Sequence, residues 1–171
     1  GAVLVLFALV CAGPRVSAGS FDIFLAKYEA AGAHLWSQRF GSSGGDIGYA
    51  VAVDGSGNAA VTGYFDGTTD LGGGPLVSTG GWDIFLAKYD ASGNHLWSQR
   101  FGGTGGEQGT AVAVDGSDNA VVTGYFSGTV NFGGGPLVSA GSADIFLASY
   151  DASGNHLWSK RFGSSGADIG Y

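Results

Sequence analysis

Apolar positions along the chain fall into short segments. From Ala111 the sequence reads AVAV, from Ala120 AVVTGYF, from Asp144 DIFLASY and from His156 HLWSKRF. Each segment is rich in β-branched and aromatic residues and is bounded by glycine or by Asp and Asn. That is a strand signature, and no helical period runs for a useful length. Asp115 to Asn119 (DGSDN) joins the first segment to the second, and Asp151 to Asn155 (DASGN) joins the third to the fourth. In both, Asp opens a turn by bonding its own backbone, and the fourth position is Gly or Asp, which tolerate a left-handed backbone. The pattern predicts hairpins within a four-stranded antiparallel meander.

The meander repeats. DIFLAKY at Asp22 and Asp83 becomes DIFLASY at Asp144, and HLWSQRF at His34 and His95 becomes HLWSKRF at His156, in steps of 61 residues. AVAVDGSGN at Ala50 maps onto AVAVDGSDN at Ala111, and GGGPLVS at Gly72 onto GGGPLVS at Gly133. Even GPRVSAGSFD from Gly13 lies in register with the same stretch of the next unit. Side-chain size rises from AVAV to HLWSQRF, as a blade crowded at its axis and roomy at its rim requires. In DIFLAKY, Ile84 and Leu86 fall on one face and Phe85, Ala87 and Tyr89 on the other, so this strand is covered on both sides by neighbouring sheets.

The predicted fold is all-β: β-propeller blades, one per 61-residue repeat, in an incomplete ring. The sequence divides into an apolar segment at 1–12 and repeats at 13–171, the latter comprising a half-blade at 21–40, blades at 46–101 and 107–162 and a stub at 168–171. Propellers close with about four to eight blades. The expectation is therefore either a piece of a longer protein or a subunit that assembles. The strings VAVDGSGNAAVTG, DIFLAKYDASGNHLW and GGTGGEQG resemble the bacterial beta-propeller repeat family with seven-bladed members. That resemblance covers about residues 13–171. It implies a secreted or surface-attached propeller without an assigned biochemical role.

Composition narrows the function. Hydrophobic residues at 44% and aromatic ones at 13% supply a core and exclude a disordered chain. The 34 glycines are explained by turns, given the periodicity. A net charge of -7 repels phosphate backbones, which argues against nucleic acid as a partner. Gly1 to Cys11 (GAVLVLFALVC) is an unbroken apolar and small-residue run. It is shorter than the roughly 20 residues a membrane span needs, and it fits the core of a secretory signal peptide whose charged start lies upstream. The expected location is secreted or cell-surface. Cys11 resembles a lipid-attachment cysteine, although Val10 stands where that motif has a small residue. A cysteine inside a signal core is the plainer reading.

In an up-and-down blade, the long connection 66–82 and the inter-blade stretch 102–109 emerge on one face. Long loops on a rigid scaffold are where binding resides, and the units differ there: Asp66 against Ser127, Asp70 against Asn131, Trp82 against Ala143 and Asp46 against Glu107. Asp46, Asp66, Asp70, Trp82, Glu107 and Asn131 are the candidate ligand-binding residues, weighed against a plainer role as solvated turn residues. His34, His95 and His156 recur once per unit and read as structural. Trp36, Trp97 and Trp158 read as wedge fillers rather than sugar platforms. SSGGDIG and GGTGGEQG resemble glycine-rich calcium repeats, but one copy per unit lacks the stacking such sites need. GGGP lacks the Lys-Ser/Thr of a phosphate loop.

No nucleophile is isolated with a base. The sequence thus predicts no catalytic centre, no metal and no cofactor, and a non-enzymatic module for protein or polysaccharide binding or structural display. The alternatives are a lectin with one sugar site per blade, or a non-catalytic part of a larger propeller enzyme. Uncovered strand edges predict self-association.

Overall fold

The computed structural model describes residues 5–6 and 20–171, so most of segment 1–12, Cys11 included, lies outside the described residues. The strands, in chain order, are β1 (Val5–Leu6), β2 (Ile23–Tyr28), β3 (His34–Phe40), β4 (Ile47–Val53), β5 (Ala59–Phe65), β6 (Thr68–Asp70), β7 (Pro75–Val77), β8 (Asp83–Tyr89), β9 (His95–Phe101), β10 (Gln108–Val114), β11 (Ala120–Phe126), β12 (Thr129–Asn131), β13 (Pro136–Val138), β14 (Asp144–Tyr150) and β15 (His156–Phe162). They form antiparallel sheets in the orders β1-β2-β3, β4-β5-β8-β9 and β10-β11-β14-β15, with β6-β7 and β12-β13 as separate hairpins. These are blades in an arc that does not close. Among the described residues there is no helix long and apolar enough to cross a membrane.

The turns form as the sequence predicts. Asp90 Oδ1 accepts the amides of Ser92 (2.8 Å) and Asn94 (2.9 Å), while Oδ2 accepts Asn94 Nδ2 at 2.8 Å. Asp54, Asp115 and Asp151 repeat the pattern. The fourth turn position is left-handed, at φ 82° for Gly57 and 63° for Asp118, as the Gly/Asp exchange there implies. The long connection is more ordered than its sequence suggests. It carries β6-β7, whose Gly72 and Gly73 press on the His95 ring, and Tyr89 donates to Leu71 O at 2.8 Å to pin it. In the next blade Tyr150 donates to Phe132 O at 2.7 Å and Gly134 presses on His156. His95 and His156 are thus packing residues.

Two cores lie between successive blades. Phe85, Ala87 and Tyr89 join Ile23, Leu25 and Phe40 on one side of β8, while Ile84 and Leu86 join Val122, Phe126, Phe146 and Tyr150 on the other. The predicted two-sided burial of DIFLAKY is therefore observed, with every residue of β8 buried. Phe40 stacks on Tyr89 at 5.2 Å between ring centroids, and Phe101 on Tyr150 at 5.1 Å. Trp36 Nε1 donates to Ala91 O at 3.1 Å and Trp97 Nε1 to Ala152 O at 3.0 Å. Gln38 and Gln99 donate to Gly93 O and Gly154 O respectively. Lys27 reaches Gly57 O (3.1 Å) and Ala91 O (2.8 Å), and Lys88 reaches Asp118 O at 3.1 Å and pairs with the buried Asp54 at 3.1 Å. Within each blade an aspartate at the head of the third strand pairs with an arginine of the fourth: Asp22 with Arg39, Asp83 with Arg100 and Asp144 with Arg161.

The innermost strands are bulged. The β4-β5 register shifts between Gly48 and Ala50, and the β10-β11 register between Gly109 and Ala111, leaving Tyr49 and Thr110 outside the ladder. Each bulge drives a carbonyl into the neighbouring strand: a Cβ at Gly63 would lie 1.9 Å from Ile47 O, and one at Gly124 would lie 1.9 Å from Gln108 O. Backbone cannot yield there as a side-chain tip can. Gly63→Ala or Gly124→Ala is therefore expected to destabilise the chain by about 2 kcal/mol or more. Gly116→Ala, which meets open space, should stay within about 0.5 kcal/mol of the parent; urea unfolding of the three variants checks both.

Candidate functional site

A bulge expels one residue from the strand ladder and re-aims its side chain, which is why bulges recur beside binding sites. Here the expelled residues, Tyr49 and Thr110, line a cavity of about 360 Å³ together with Gln108, Tyr125, Ile169 and Tyr171. The cavity lies along the inner strands, where β10 packs against β4 and β5. The same repeat positions read Ile47 and Tyr49, Gln108 and Thr110, Ile169 and Tyr171. The middle unit alone exchanges an Ile and Tyr pair for Gln and Thr. The smaller threonine leaves room between the flanking tyrosines, and the amide adds a polar group. Thr110 Oγ1 also donates to Gly170 O at 2.8 Å, tying the third inner segment to the cavity wall.

The rings extend outward. Tyr49 lies 5.7 Å from Tyr64, and Tyr64 lies 5.0 Å from Trp82, which is itself exposed. Burial, and then the neighbouring tyrosines, push the hydroxyls of Tyr64 and Tyr125 above their ordinary value, so both stay protonated near neutrality. The site offers ring faces, hydroxyls and one amide, and its lining side chains carry no charge. Such a surface suits an uncharged ring or an apolar side chain with hydrogen-bonding capacity. Among the described residues no group of three or more His, Cys, Asp and Glu is placed to hold a metal ion.

The sequence-predicted ligand residues scatter in role. As the topology requires, the long connections and inter-blade stretches meet: Glu107 N donates to Trp82 O at 2.7 Å and Gly81 N to Gly105 O at 2.9 Å. Asp70 accepts the amides of Gly72 (2.8 Å) and Gly74 (3.1 Å), and Asn131 accepts those of Gly133 and Gly135 at the same distances. Both are exposed, and both build the tip of a hairpin. Asp66 is half-buried, and its carbonyl accepts Ser42 Oγ at 3.3 Å. Trp82 alone stands at the rim of the ring cluster.

Asp46 and Glu107 are placed differently from expectation, being fully buried rather than on the loop surface. Asp46 Oδ2 accepts Ser42 N at 2.8 Å and Ser42 Oγ at 3.0 Å, and Glu107 Oε2 accepts Gly103 N at 3.0 Å. Each carboxyl is drawn inward to close its Gly/Ser loop. Burial raises both above the usual carboxylate range; the loop amides oppose this, and the nearby Asp22 and Asp83 respectively add to it. Sequence reading passed over Tyr49, Gln108, Thr110, Tyr125, Ile169 and Tyr171. The available signal was GDIGY against GEQGT at equivalent positions.

No family model matches the chain. It is 30% identical over 125 residues to an uncharacterized WD repeat-containing protein of Acanthamoeba polyphaga mimivirus, covering 67% of this chain and 9% of the relative. It is also 30% identical over 158 residues to regulatory protein FlaEY of Caulobacter vibrioides, covering 88% of this chain and 16% of that relative. The chain thus spans a small part of the curated relatives it matches. The WD repeat relative and the recurring antiparallel sheets both fit a propeller-type repeat.

The buried carboxyl of Glu107 sets a pH dependence. Its folded value is raised from 4.5, so above 4.5 the folded chain holds a proton the unfolded chain has lost, and stability falls as pH rises through that window. Glu107→Gln keeps an acceptor for Gly103 N and removes the titration. The variant's melting temperature is expected to gain on the parent progressively from about pH 4 to pH 7, as thermal unfolding across that range would read.

Proposed function

We propose that the chain is a non-enzymatic interaction module that docks a protein partner at its axial mouth. The carrying observation is the cavity at the bulges, which Tyr49, Tyr125 and Tyr171 line together with Gln108 and Thr110. Aromatic residues of this kind dominate binding energy when a partner's side chain fills the space between them. The WD repeat relative supports an interaction role, and neither relative's name is that of an enzyme. Display outside the cell is part of the same reading, supported by the apolar run from Gly1 to Cys11.

A second reading has its own support. Tyrosine faces with hydroxyls and an amide also suit a saccharide, and the Thr110 exchange would make one site in the chain rather than one per blade.

Tyr49→Ala and Tyr171→Ala alter exposed rings and should weaken capture of a purified partner by about thirtyfold each. Ser92→Ala, in a turn between β8 and β9, should leave capture unchanged. Photo-crosslinkers at positions 49, 171 and 92 provide the readout, with transfer confined to 49 and 171. Crosslinking from 92 alone would reject the mouth as the docking site. A glycan array separates the second reading: saturable binding of one saccharide per chain, lost in Tyr49→Ala, favours sugar over protein.

A further inference from the structure

The β6-β7 hairpin is held down on its blade at three points, and one of them is an imidazole. Leu71, between the two strands, is 1% exposed and belongs to the core that Ile23, Leu25 and Phe40 share with Phe65, Phe85 and Tyr89. The Tyr89 hydroxyl donates to Leu71 O at 2.8 Å. His95, at the head of β9, lies beneath the tip. A Cβ at Gly72 would stand 3.0 Å from His95 Cβ, and one at Gly73 would stand 2.4 Å from Cε1 and 2.9 Å from Nε2. The hairpin backbone thus closes over the ring edge that carries Nε2.

That nitrogen is shielded from solvent and has no hydrogen-bond partner among the described residues. Because the blade itself already encloses it, a segment from elsewhere has no access to it. The next blade treats the same histidine differently. His156 lies under Gly133 and Gly134, yet its Nε2 is 3.1 Å from Ser159 Oγ, a hydroxyl able to donate to a neutral ring or to accept from a charged one. Ser98 stands at the equivalent place in β9 and makes no such bond to His95. The hairpin tips differ as well, Asp70 in one and Asn131 in the other, although both accept the same pair of glycine amides.

A neutral imidazole can leave its acceptor nitrogen bare, whereas an imidazolium carries two N–H donors and each needs an acceptor. Beneath Gly73 there is none for Nε2. The surrounding charges do not supply one. Asp70, on the hairpin, is exposed, and its Oδ1 is bound by the amides of Gly72 and Gly74. Tyr89, on β8, meets the ring edge-on at 5.8 Å, and burial holds its hydroxyl above the ordinary value, so it stays protonated. Arg100, further along β9, is tied to Asp83. The following blade meets β9 at Trp97 with the turn of Asp151, whose carboxylate is bound by that turn. Burial keeps the His95 ring below its ordinary value of 6.5, and Asp70 opposes this. As pH falls below 6.5, a released ring takes up the proton that the covered ring refuses, so the covered state loses stability in that window.

We propose that His95 is a proton-operated clasp, a proton on its ring lifting the β6-β7 hairpin and withdrawing Leu71 from the core between β2-β3 and the following blade. The β12-β13 hairpin, whose histidine has Ser159, stays down. None of the clasp residues lines the cavity at the bulges, so the device is separate from the docking mouth.

Amide hydrogen exchange of the full 171-residue chain, read by mass spectrometry and normalised at each pH to an unstructured peptide, tests this between about pH 7.5 and about pH 4.5. Exchange of the ring C2 hydrogen follows the protonation of His95 in the same samples. Protection of residues 68–77 should fall by about fivefold or more as His95 takes its proton, while residues 129–138 hold theirs. His95→Phe keeps a ring under the hairpin without the titration and should make protection independent of pH. Asp70→Asn copies the tip of the next blade and removes the charge that favours the protonated ring, so the loss should move to lower pH. Protection of 68–77 that stays level across the range overturns the proposal, as does equal loss in both hairpins. A pH-dependent loss that survives in His95→Phe, or one that Asp70→Asn leaves in place or moves to higher pH, overturns it too.

Discussion

The structure depends on one contact, the laying of each blade's outer strand over the turn and tyrosine of the next. An isolated four-stranded sheet of this composition has two apolar faces and no core. Stacking covers one face per neighbour, so stability resides in the interfaces and runs from blade to blade. The contact mixes an aromatic stack, worth about 0.5–1.5 kcal/mol beyond burial, with hydrogen bonds to turn carbonyls that would otherwise face solvent. It also dictates sequence at a distance. Gly93 and Gly154 must be glycine both for their left-handed backbone and for the indole lying on them. Lys88 is buried because Asp54 of its own blade and a carbonyl of the next both require it.

The inner strands obey a second constraint, set by the bulges. Expelling Tyr49 and Thr110 from the ladder pushes Ile47 O and Gln108 O towards Gly63 and Gly124. The mouth and the glycine of VTGYF are therefore one device. A side chain at the glycine would press on the carbonyl that the bulge displaces. That links the cavity's shape to two glycines outside its lining.

Much of the fold was legible from residues alone. The 61-residue step, the Asp-opened turns and the apolar alternation placed the blade strands, because local turn chemistry and strand burial agree with the global packing. The short β6-β7 hairpin was not legible. Its register is set from outside, by His95 beneath Gly72 and Gly73 and by Tyr89 on Leu71 O. The site was less legible still. Acidic residues in Gly/Ser loops read as exposed, yet Asp46 and Glu107 turn inward because loop amides sit within reach. Tyr49 and Thr110 stand just before the AVAV segments read as strands, and a bulge belongs to the pairing of two strands and leaves no mark in either.

Repetition itself makes the departures informative. Wherever two interfaces are built alike, a residue that differs in the third has either lost its contact or changed its partner. Ser149 and Lys160 replace Lys and Gln on a face whose internal counterparts hold a following blade. Among the described residues no blade covers that face. Gln108 and Thr110 lie inside the arc, between blades that do contact one another, and Thr110 still bonds Gly170 O. There an exchange must satisfy the scaffold first. That the pair fits while opening a cavity between two tyrosines separates the mouth from a position at which any side chain would serve.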